Sequence, residues 1–250
     1  MVTENLTALV NELVTEDDTP VDNLLSEKQQ RLLTEPLYSS WSGPPPDPSR
    51  AEEPRQFLVA ANVGLFPSVY VPPLVPDVFL SLDVTVADDW YEKRHRSYFF
   101  WEFGKAPEVV IEIVSNRQGN ELGSKLHDYA RMGVTYYVVY DPLQQLSAQV
   151  LRVYEKQGMR YQPLVGNQLP GIGLGVVLWE GTYEGKAATW LRWCDEQGQV
   201  IATGAERAAQ EAARANQEAV ARQHAEAEVA RLRAALERLQ QQTSSETPPK

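Results

Sequence analysis

The chain has 250 residues, 43% of them hydrophobic, which is enough for one core of ordinary domain size with appendages. Its net charge of −11 opposes loose electrostatic attachment to nucleic acid, because such attachment depends on lysine and arginine displacing counterions. One cysteine, Cys194, excludes an intramolecular disulfide and a cysteine-rich zinc site. There is no apolar run of about 18 residues and no signal-peptide pattern, so we expect a cytoplasmic protein without a membrane span.

The N-terminal part of the chain predicts one helix between two irregular segments. Residues 1–24 are acidic and end in a turn-like sequence, which favours a flexible segment. The stretch LLSEKQQRLLTEPLYSSW predicts a helix with Ser26 as N-cap and Gln29 completing a capping box, and Pro36 should end or bend it. Residues 42–54 are rich in proline and predict a loop.

From residue 57 onward the pattern predicts a mixed sheet. Strand composition is found in FLVAANVGLF, VYVPPLVPDVFLSL, SYFFWEF and the near-continuous apolar run of PEVVIEIVS. SKLHDYARMGV then predicts a helix ended by Gly133, VTYYVVYDP another buried strand, and LRVYEKQGMRYQPL a hairpin turning at Gln157–Gly158. The order strand, strand, helix, strand indicates an α/β (α+β) fold with a helical crossover.

The C-terminal part predicts a β-rich extension followed by a long helix. Residues 163–204 are rich in glycine and tryptophan, and the glycines at 171, 173 and 175 fit turns and strands better than a nucleotide loop. Residues 205–242 contain neither glycine nor proline, and the 3, 4, 3 spacing of Val229, Leu232, Leu236 and Leu239 favours a coiled coil. We therefore expect a homodimer or other homo-oligomer through residues 215–242; a solvated helix packed on the body is the alternative. Residues 243–250 predict a disordered tail.

Two acids and one lysine are the candidate chemical groups. Asp77 follows Pro76 at the start of a predicted strand, and Glu112 lies in the middle of VVIEIV, where an unpaired charge would be costly. Two carboxylates from adjacent strands with Lys125 from the following helix would suit a hard divalent cation. From the residues alone, Asp77 could instead cap a turn, and Glu112 could form a structural ion pair with Lys125.

The combined motifs resemble a known family. PDV at 76–78, PEVVIEIVS at 107–115, K-x-x-x-Y at 125–129 and GV-x-YYVVYDP at 133–142 are together similar to the Uma-type restriction-endonuclease family of the PD-(D/E)XK nuclease superfamily. The later block, with LWEGTYEG and WLRWCDEQGQVIATGAE, resembles the C-terminal extension of one branch of that family.

The resemblance implies a restriction-endonuclease-like αβββαβ core and Mg²⁺- or Mn²⁺-dependent hydrolysis of phosphodiester bonds in DNA. By position it implies that Asp77, Glu112 and the backbone carbonyl of Ile113 bind the metal. The motif lysine would stand two residues after the acid, where this chain has Val114, so Lys125 is its implied replacement.

Other residues and functions remain open at this point. Glu27 or Gln30 of the first helix could add a ligand, and Glu121 occupies a position that is often acidic in relatives, although helix-start stabilisation is its simpler role. A catalytically silent interaction or assembly protein is the main alternative function, and a hydrolase of small phosphoesters is a third. The expected organisation is a flexible N-terminus (1–24), a nuclease-like core (25–162), a β extension (163–204), a coiled-coil helix (205–242) and a tail (243–250).

Overall fold

The structure is a computed structural model that describes residues 2–15, 23–46, 55–89, 91–116 and 119–245. These residues form five α-helices and eleven strands, with a short 3₁₀ helix at Lys93–His95. The helices are α1 (Val2–Glu12), α2 (Leu24–Ser40), α3 (Phe100–Phe103), α4 (Ser124–Met132) and α5 (Gly204–Ser245). The strands are β1 (Phe57–Ala61), β2 (Leu65–Phe66), β3 (Val78–Leu82), β4 (Tyr98–Phe99), β5 (Val109–Ile113), β6 (Tyr136–Tyr140), β7 (Leu151–Gln157), β8 (Arg160–Pro163), β9 (Gln168–Leu169), β10 (Leu174–Tyr183) and β11 (Lys186–Cys194). By its contacts the chain divides into two compact units, Met1–Thr203 and Gly204–Lys250.

The centre of the first unit is a mixed sheet with the strand order β1-β3-β5-β6-β7-β8. Strands β5 and β6 are parallel and are joined through α4, whereas the other neighbouring strands are antiparallel. Read along the chain, α2, β1, β3, β5, α4 and β6 give the αβββαβ order. The predicted α+β, restriction-endonuclease-like fold is therefore confirmed.

Strand β5 is buried on both faces, which explains its near-continuous apolar sequence. Ile111 and Ile113 belong to the apolar cluster that also contains Leu33 of α2. Val110 and Val114 belong to the cluster on the other face, which contains Tyr129 of α4. Because side chains alternate along a strand, Glu112 lies on the same face as Val110, toward α4.

Helix α2 differs from its prediction at both ends. Asn23 is the N-cap, because its side-chain oxygen accepts hydrogen bonds from the backbone N–H groups of Leu25 and Ser26, both at 2.9 Å. The prediction of Ser26 as N-cap was therefore wrong. Pro36 does not end the helix, which continues to Ser40; its burial beside Leu37 offsets the backbone hydrogen bond that a proline cannot make.

Three further segments differ from the pattern in smaller ways. The N-terminal segment expected to be flexible contains α1, whose Val10 packs in a small cluster with Phe66 and Phe99; residues 16–22 lie outside the described residues. The predicted strand SYFFWEF becomes β4 followed by the single turn of α3. Gln157 pairs with Arg160, so the hairpin turns one residue later than predicted.

The β extension shares the core of the main sheet. Strands β9, β10 and β11 form a three-stranded sheet, and its residues Leu174 and Leu191 pack in the same apolar cluster as Ile111. The side-chain amide of Gln29 donates to the carbonyl of Leu191 at 2.7 Å and accepts from its N–H at 3.0 Å. Gly171 and Gly173 have φ of +80°, as turn glycines do, which agrees with their expected role.

The second unit is dominated by α5, a helix of 42 residues. Its surface carries Arg–Glu pairs at helical spacing, and Val229, Leu232 and Leu236 are exposed. The side chain of Leu239 and residues 246–250 lie outside what the structure describes. Within the described part of the chain, no helix combines the length and the apolar character needed to cross a membrane.

Candidate active site

Three neighbouring strands bring polar residues into one row across the sheet. Val78 pairs with both Ala61 and Ile111, so the same registers set Asp77 opposite Asn62 on one side and opposite Glu112 on the other. Residues that lie opposite each other point to the same face of a sheet. Asp77 and Glu112 are consequently neighbours on the face covered by α4.

Asp77 is held by a helix and by the neighbouring strand at once. Its Oδ1 accepts a hydrogen bond from Nε2 of Gln30 at 2.8 Å, and its Oδ2 accepts one from the backbone N–H of Ile113 at 2.7 Å. Burial raises the pKa of Asp77, although these two hydrogen bonds and the charge of Lys125 act against the rise. The carboxylate is thus fixed in orientation and partly desolvated, which goes beyond what a turn cap requires.

Glu112 is 2% exposed and is hydrogen-bonded at both oxygens. Nζ of Lys125 donates to Oε2 at 2.9 Å, and the hydroxyl of Tyr129 donates to Oε1 at 2.7 Å. Lys125 and Tyr129 are four residues apart on α4 and therefore share a face of the helix. Burial raises the pKa of Glu112 to about 7; the charge of Lys125 opposes the rise and that of Asp77 adds to it.

Lys125 lies between two acidic residues. Its Nζ is 2.9 Å from Glu112 and 3.9 Å from Oε1 of Glu121. Burial acts to lower the pKa of Lys125, but the negative charges of Glu112, Glu121 and Asp77 outweigh burial and raise it. The side chain therefore stays an ammonium ion at neutral pH. The other oxygen of Glu121, Oε2, is buried and has no hydrogen-bond partner among the described residues.

The structure brings together Asp77, Glu112 and Lys125, the three side chains that the sequence grouped. Of the two residues of the first helix considered as further ligands, only one lies at the site. Gln30 reaches Asp77, but Glu27 pairs with Arg31 on an exposed face of α2. Val114 is buried in the apolar cluster beneath α4, so the place of the motif lysine is apolar. The roles of Asp77, Glu112, Ile113 and Lys125 as ligands and catalyst stay predictions.

Sequence reasoning missed Asn62. Its side chain exchanges two hydrogen bonds with the amide of Gln30, and its backbone N–H donates to the carbonyl of Asp77 at 3.2 Å. The available signal was weak: an asparagine directly after a strand, at a place where the backbone can turn with positive φ.

The donor set suits a hard divalent cation. Glu112 is buried and Asp77 beside it is half-buried, and desolvation raises the pKa of both carboxyl groups, so a cation that neutralises them would relieve a penalty. In the described part of the chain, no three His, Cys, Asp or Glu side chains are grouped so that they could hold a metal. Mg²⁺ is commonly bound by one or two carboxylates with water in its remaining positions, and this pair of acids fits that pattern.

The fold and the site together define a restriction-endonuclease-like protein with a pair of adjacent, partly desolvated acids and a lysine on the following helix. A model of the Uma2 family, described as "putative restriction endonuclease", matches residues 26–174. The match covers more than half of the chain, so the chain belongs to the Uma2 family, as its motifs predicted. The matched region includes every residue of the site described above. No curated protein matches the chain significantly.

Proposed function

We propose that this protein is an endonuclease that hydrolyses phosphodiester bonds in DNA with the help of Mg²⁺ or Mn²⁺. The observation that supports the proposal most is the convergence of Asp77, Glu112 and Lys125 on one face of the sheet, inside a fold that belongs to a nuclease-like family. A pair of desolvated acids beside an ammonium is chemistry that a purely structural sheet does not need.

Asp77, Glu112 and the carbonyl of Ile113 would hold the cation. When bound, it would supply an activated water and neutralise negative charge at the phosphorus. The Gln30 and Ile113 hydrogen bonds keep the Asp77 carboxylate in a fixed orientation, and the Tyr129 hydroxyl does the same for Glu112. Both acids are therefore pre-oriented and need little reorganisation.

Lys125 would stabilise charge rather than take up a proton. Its raised pKa keeps Nζ protonated, so it can donate hydrogen bonds to the attacking water or to the phosphate oxygens. The Lys125 side chain is 26% exposed while that of Glu112 is 3% exposed, so substrate would approach from the side of the lysine. The protein's net charge of −11 makes a bound cation the natural bridge to a phosphate backbone.

Cleavage assays with matched variants test the proposal. Plasmid DNA, single-stranded DNA and RNA are incubated with the purified protein and Mg²⁺ or Mn²⁺. We expect the unaltered protein to cleave DNA. The cleavage rate should be at least about a hundredfold lower in Glu112→Ala and Lys125→Ala, as is typical when charge-stabilising or ligand groups are removed. Glu180→Ala and Lys186→Ala, which change exposed residues of the β10–β11 hairpin, serve as controls and should cleave normally.

Two results would count against an enzyme. One is an unaltered protein that cleaves no nucleic acid with either cation, and the other is an alanine variant as active as the unaltered chain. Cleavage of RNA alone would move the substrate from DNA to RNA, and turnover of small phosphoesters alone would favour the third function considered above.

The second candidate function is an interaction or assembly protein that keeps the fold without the chemistry. The net charge of −11 and the exposed apolar residues Val229, Leu232 and Leu236 on α5 favour it. A titration with Mg²⁺ and Mn²⁺ separates the two, because an assembly module has no need for cation binding that depends on Asp77 and Glu112.

We also propose that α5 pairs with α5 of a second copy. Val229, Leu232 and Leu236 fall at alternating spacings of three and four residues, which places them along one side of the helix. The Arg–Glu pairs on the rest of its surface keep that surface soluble and balanced in charge. Dimerisation is compatible with either candidate function.

A further inference from the structure

We infer that Asn62 is a positioning residue for the cation site and that it acts on Asp77 through Gln30. The inference rests on the proposed cation site and adds a residue that no sequence motif marks. Asn62 is neither a proposed metal ligand nor the proposed catalytic lysine. It contacts Gln30 and Asp77 through hydrogen bonds.

The backbone of Asn62 has an uncommon conformation. Its φ is +55°, in the left-handed region that non-glycine residues rarely adopt. It directly follows β1, and its register places it opposite Asp77. Asparagine is among the few non-glycine residues that adopt this region readily, which suits it to a turn directly after β1.

The side chains of Asn62 and Gln30 form a closed amide pair. Nδ2 of Asn62 donates to Oε1 of Gln30 at 2.8 Å, and Nε2 of Gln30 donates to Oδ1 of Asn62 at 3.1 Å. This pairing occupies the carbonyl oxygen of Gln30 and one of its two N–H groups. The second N–H group is left to donate to Asp77, at 2.8 Å.

The amide pair holds the Gln30 amide in place, and the acceptor-only carboxylate of Asp77 faces its NH₂ end. A glutamine can present either its oxygen or its NH₂ group, and the two ends differ little in shape. Because Asn62 bonds to both ends of the Gln30 amide and the carboxylate of Asp77 can only accept, Gln30 presents a fixed donor to Asp77 and not a metal ligand. Gln30 therefore orients one oxygen of Asp77, while the backbone of Ile113 orients the other.

Such outer partners of metal-binding carboxylates affect cation affinity about 10- to 100-fold. Asn62 should therefore matter for cation affinity and much less for the stability of the fold. Glycine at position 62 accommodates the positive φ without strain but removes the amide, so Asn62→Gly separates the two effects. Gln30→Met removes the donor itself at similar volume.

The test is a double-mutant cycle with calorimetric titration of Mg²⁺. We expect Asn62→Gly and Gln30→Met each to weaken Mg²⁺ binding by on the order of tenfold, and the double variant to bind no more weakly than Gln30→Met alone. The melting temperature of Asn62→Gly should fall by only about a few degrees, because Asn62 is exposed and water can take its place beside the Gln30 amide. Gln144→Gly, which relaxes an equally positive φ of +52° at an exposed residue, is the matched control and should bind normally.

Three results would overturn the inference: normal Mg²⁺ affinity in Asn62→Gly, additive losses in the double variant, or an equal loss in Gln144→Gly. A second measurement tests the role of Asn62 independently of the proposed function. Hydrogen exchange of the Gln30 side-chain amide, followed by NMR without metal, should be slow in the unaltered chain and fast in Asn62→Gly. If the unaltered chain binds no Mg²⁺, the proposed function fails, whereas unchanged Gln30 exchange in Asn62→Gly refutes the amide pair itself.

Discussion

Glu112 sets the electrostatic balance of the site. It is buried against Asp77, and the ammonium of Lys125 is the cation that contacts it among the described residues. Removing one partner from such a group is costly, whereas neutralising a group with a raised pKa relieves a penalty. At the proposed cation site, this penalty would trade stability of the metal-free fold for readiness to bind a cation.

The first prediction concerns the stability of the metal-free protein. The pKa of Glu112 is raised from 4.5 to about 7, so between these values the folded chain binds more protons than the unfolded chain. The free energy of unfolding contributed by this group therefore falls as pH rises through this range and stays low above it. Glu112→Gln removes this loss, and at pH 8 in EDTA we expect it to be more stable than the unaltered chain by on the order of 2 kcal/mol.

Urea unfolding at pH 5 and pH 8 measures the effect. The difference between Glu112→Gln and the unaltered chain should be small at pH 5 and clear at pH 8. A variant that is less stable than the unaltered chain at pH 8 would indicate a structural ion pair between Glu112 and Lys125, the alternative that the sequence left open.

The site could be predicted from sequence only where a residue contradicts its surroundings. Glu112 stands out because an acid interrupts an apolar strand, and Asp77 and Lys125 were grouped with it from their places at a strand start and on the following helix. The family resemblance added the roles expected of all three. The orientation of the Gln30 amide depends on the register of β1 against β3, which no local pattern encodes. Asn62 could not be predicted either, because its contact with Gln30 depends on the same strand pairing.

At the scale of elements, α2 connects two parts of the protein through consecutive residues. Gln29 bonds to the backbone of β11, while Gln30 bonds to Asp77. The indole N–H of Trp193 adds a bond to the carbonyl of Leu33 at 2.7 Å. The β extension thus fixes the helix that presents a donor to the site.

The second prediction tests this connection. Gln29→Ala leaves the buried N–H and C=O of Leu191 without their partner, at a cost of about 2–4 kcal/mol in the free energy of unfolding. Chemical denaturation measures the loss. Leu24→Ala, at a helix position that is 79% exposed, should cost far less. Equal losses in the two variants would mean that the contact with β11 contributes little.

Most elements of the main sheet could be predicted because burial on both faces leaves a strong apolar pattern in β5 and β6. The boundaries of α2 could not. Asn23 and Ser26 are both favoured cap residues, and Asn23 takes the role through local hydrogen bonds to Leu25 and Ser26. The helix passes Pro36 with buried residues on both sides of it, so only there did packing override local propensity.

At the scale of the molecule, the third prediction concerns self-association. We expect the purified protein to be a dimer by light scattering and Leu232→Asn to shift it toward the monomer, because a polar residue in a short apolar seam weakens pairing. Val220→Asn is the control, since Val220 is 52% exposed but lies off the seam. A monomeric unaltered chain, or equal effects of the two substitutions, would refute pairing through α5.

The family match and the folded core do not end at the same place. The match stops at residue 174, whereas the apolar cluster of the main sheet also includes Leu191 and Trp193 of β11. The compact first unit extends to Thr203. In this chain the family's core therefore depends on residues beyond the region that defines the family.

At the proposed cation site, the row formed by Asn62, Asp77 and Glu112 would make cation binding a reporter of correct strand pairing. A slip of β3 by one residue against β5 would turn Asp77 toward the opposite apolar face, since side chains alternate along a strand. A mispaired sheet would thus bury an acid among hydrocarbon and lose its ligand pair. A divalent cation would bind only the properly paired sheet and would draw the population toward it by mass action.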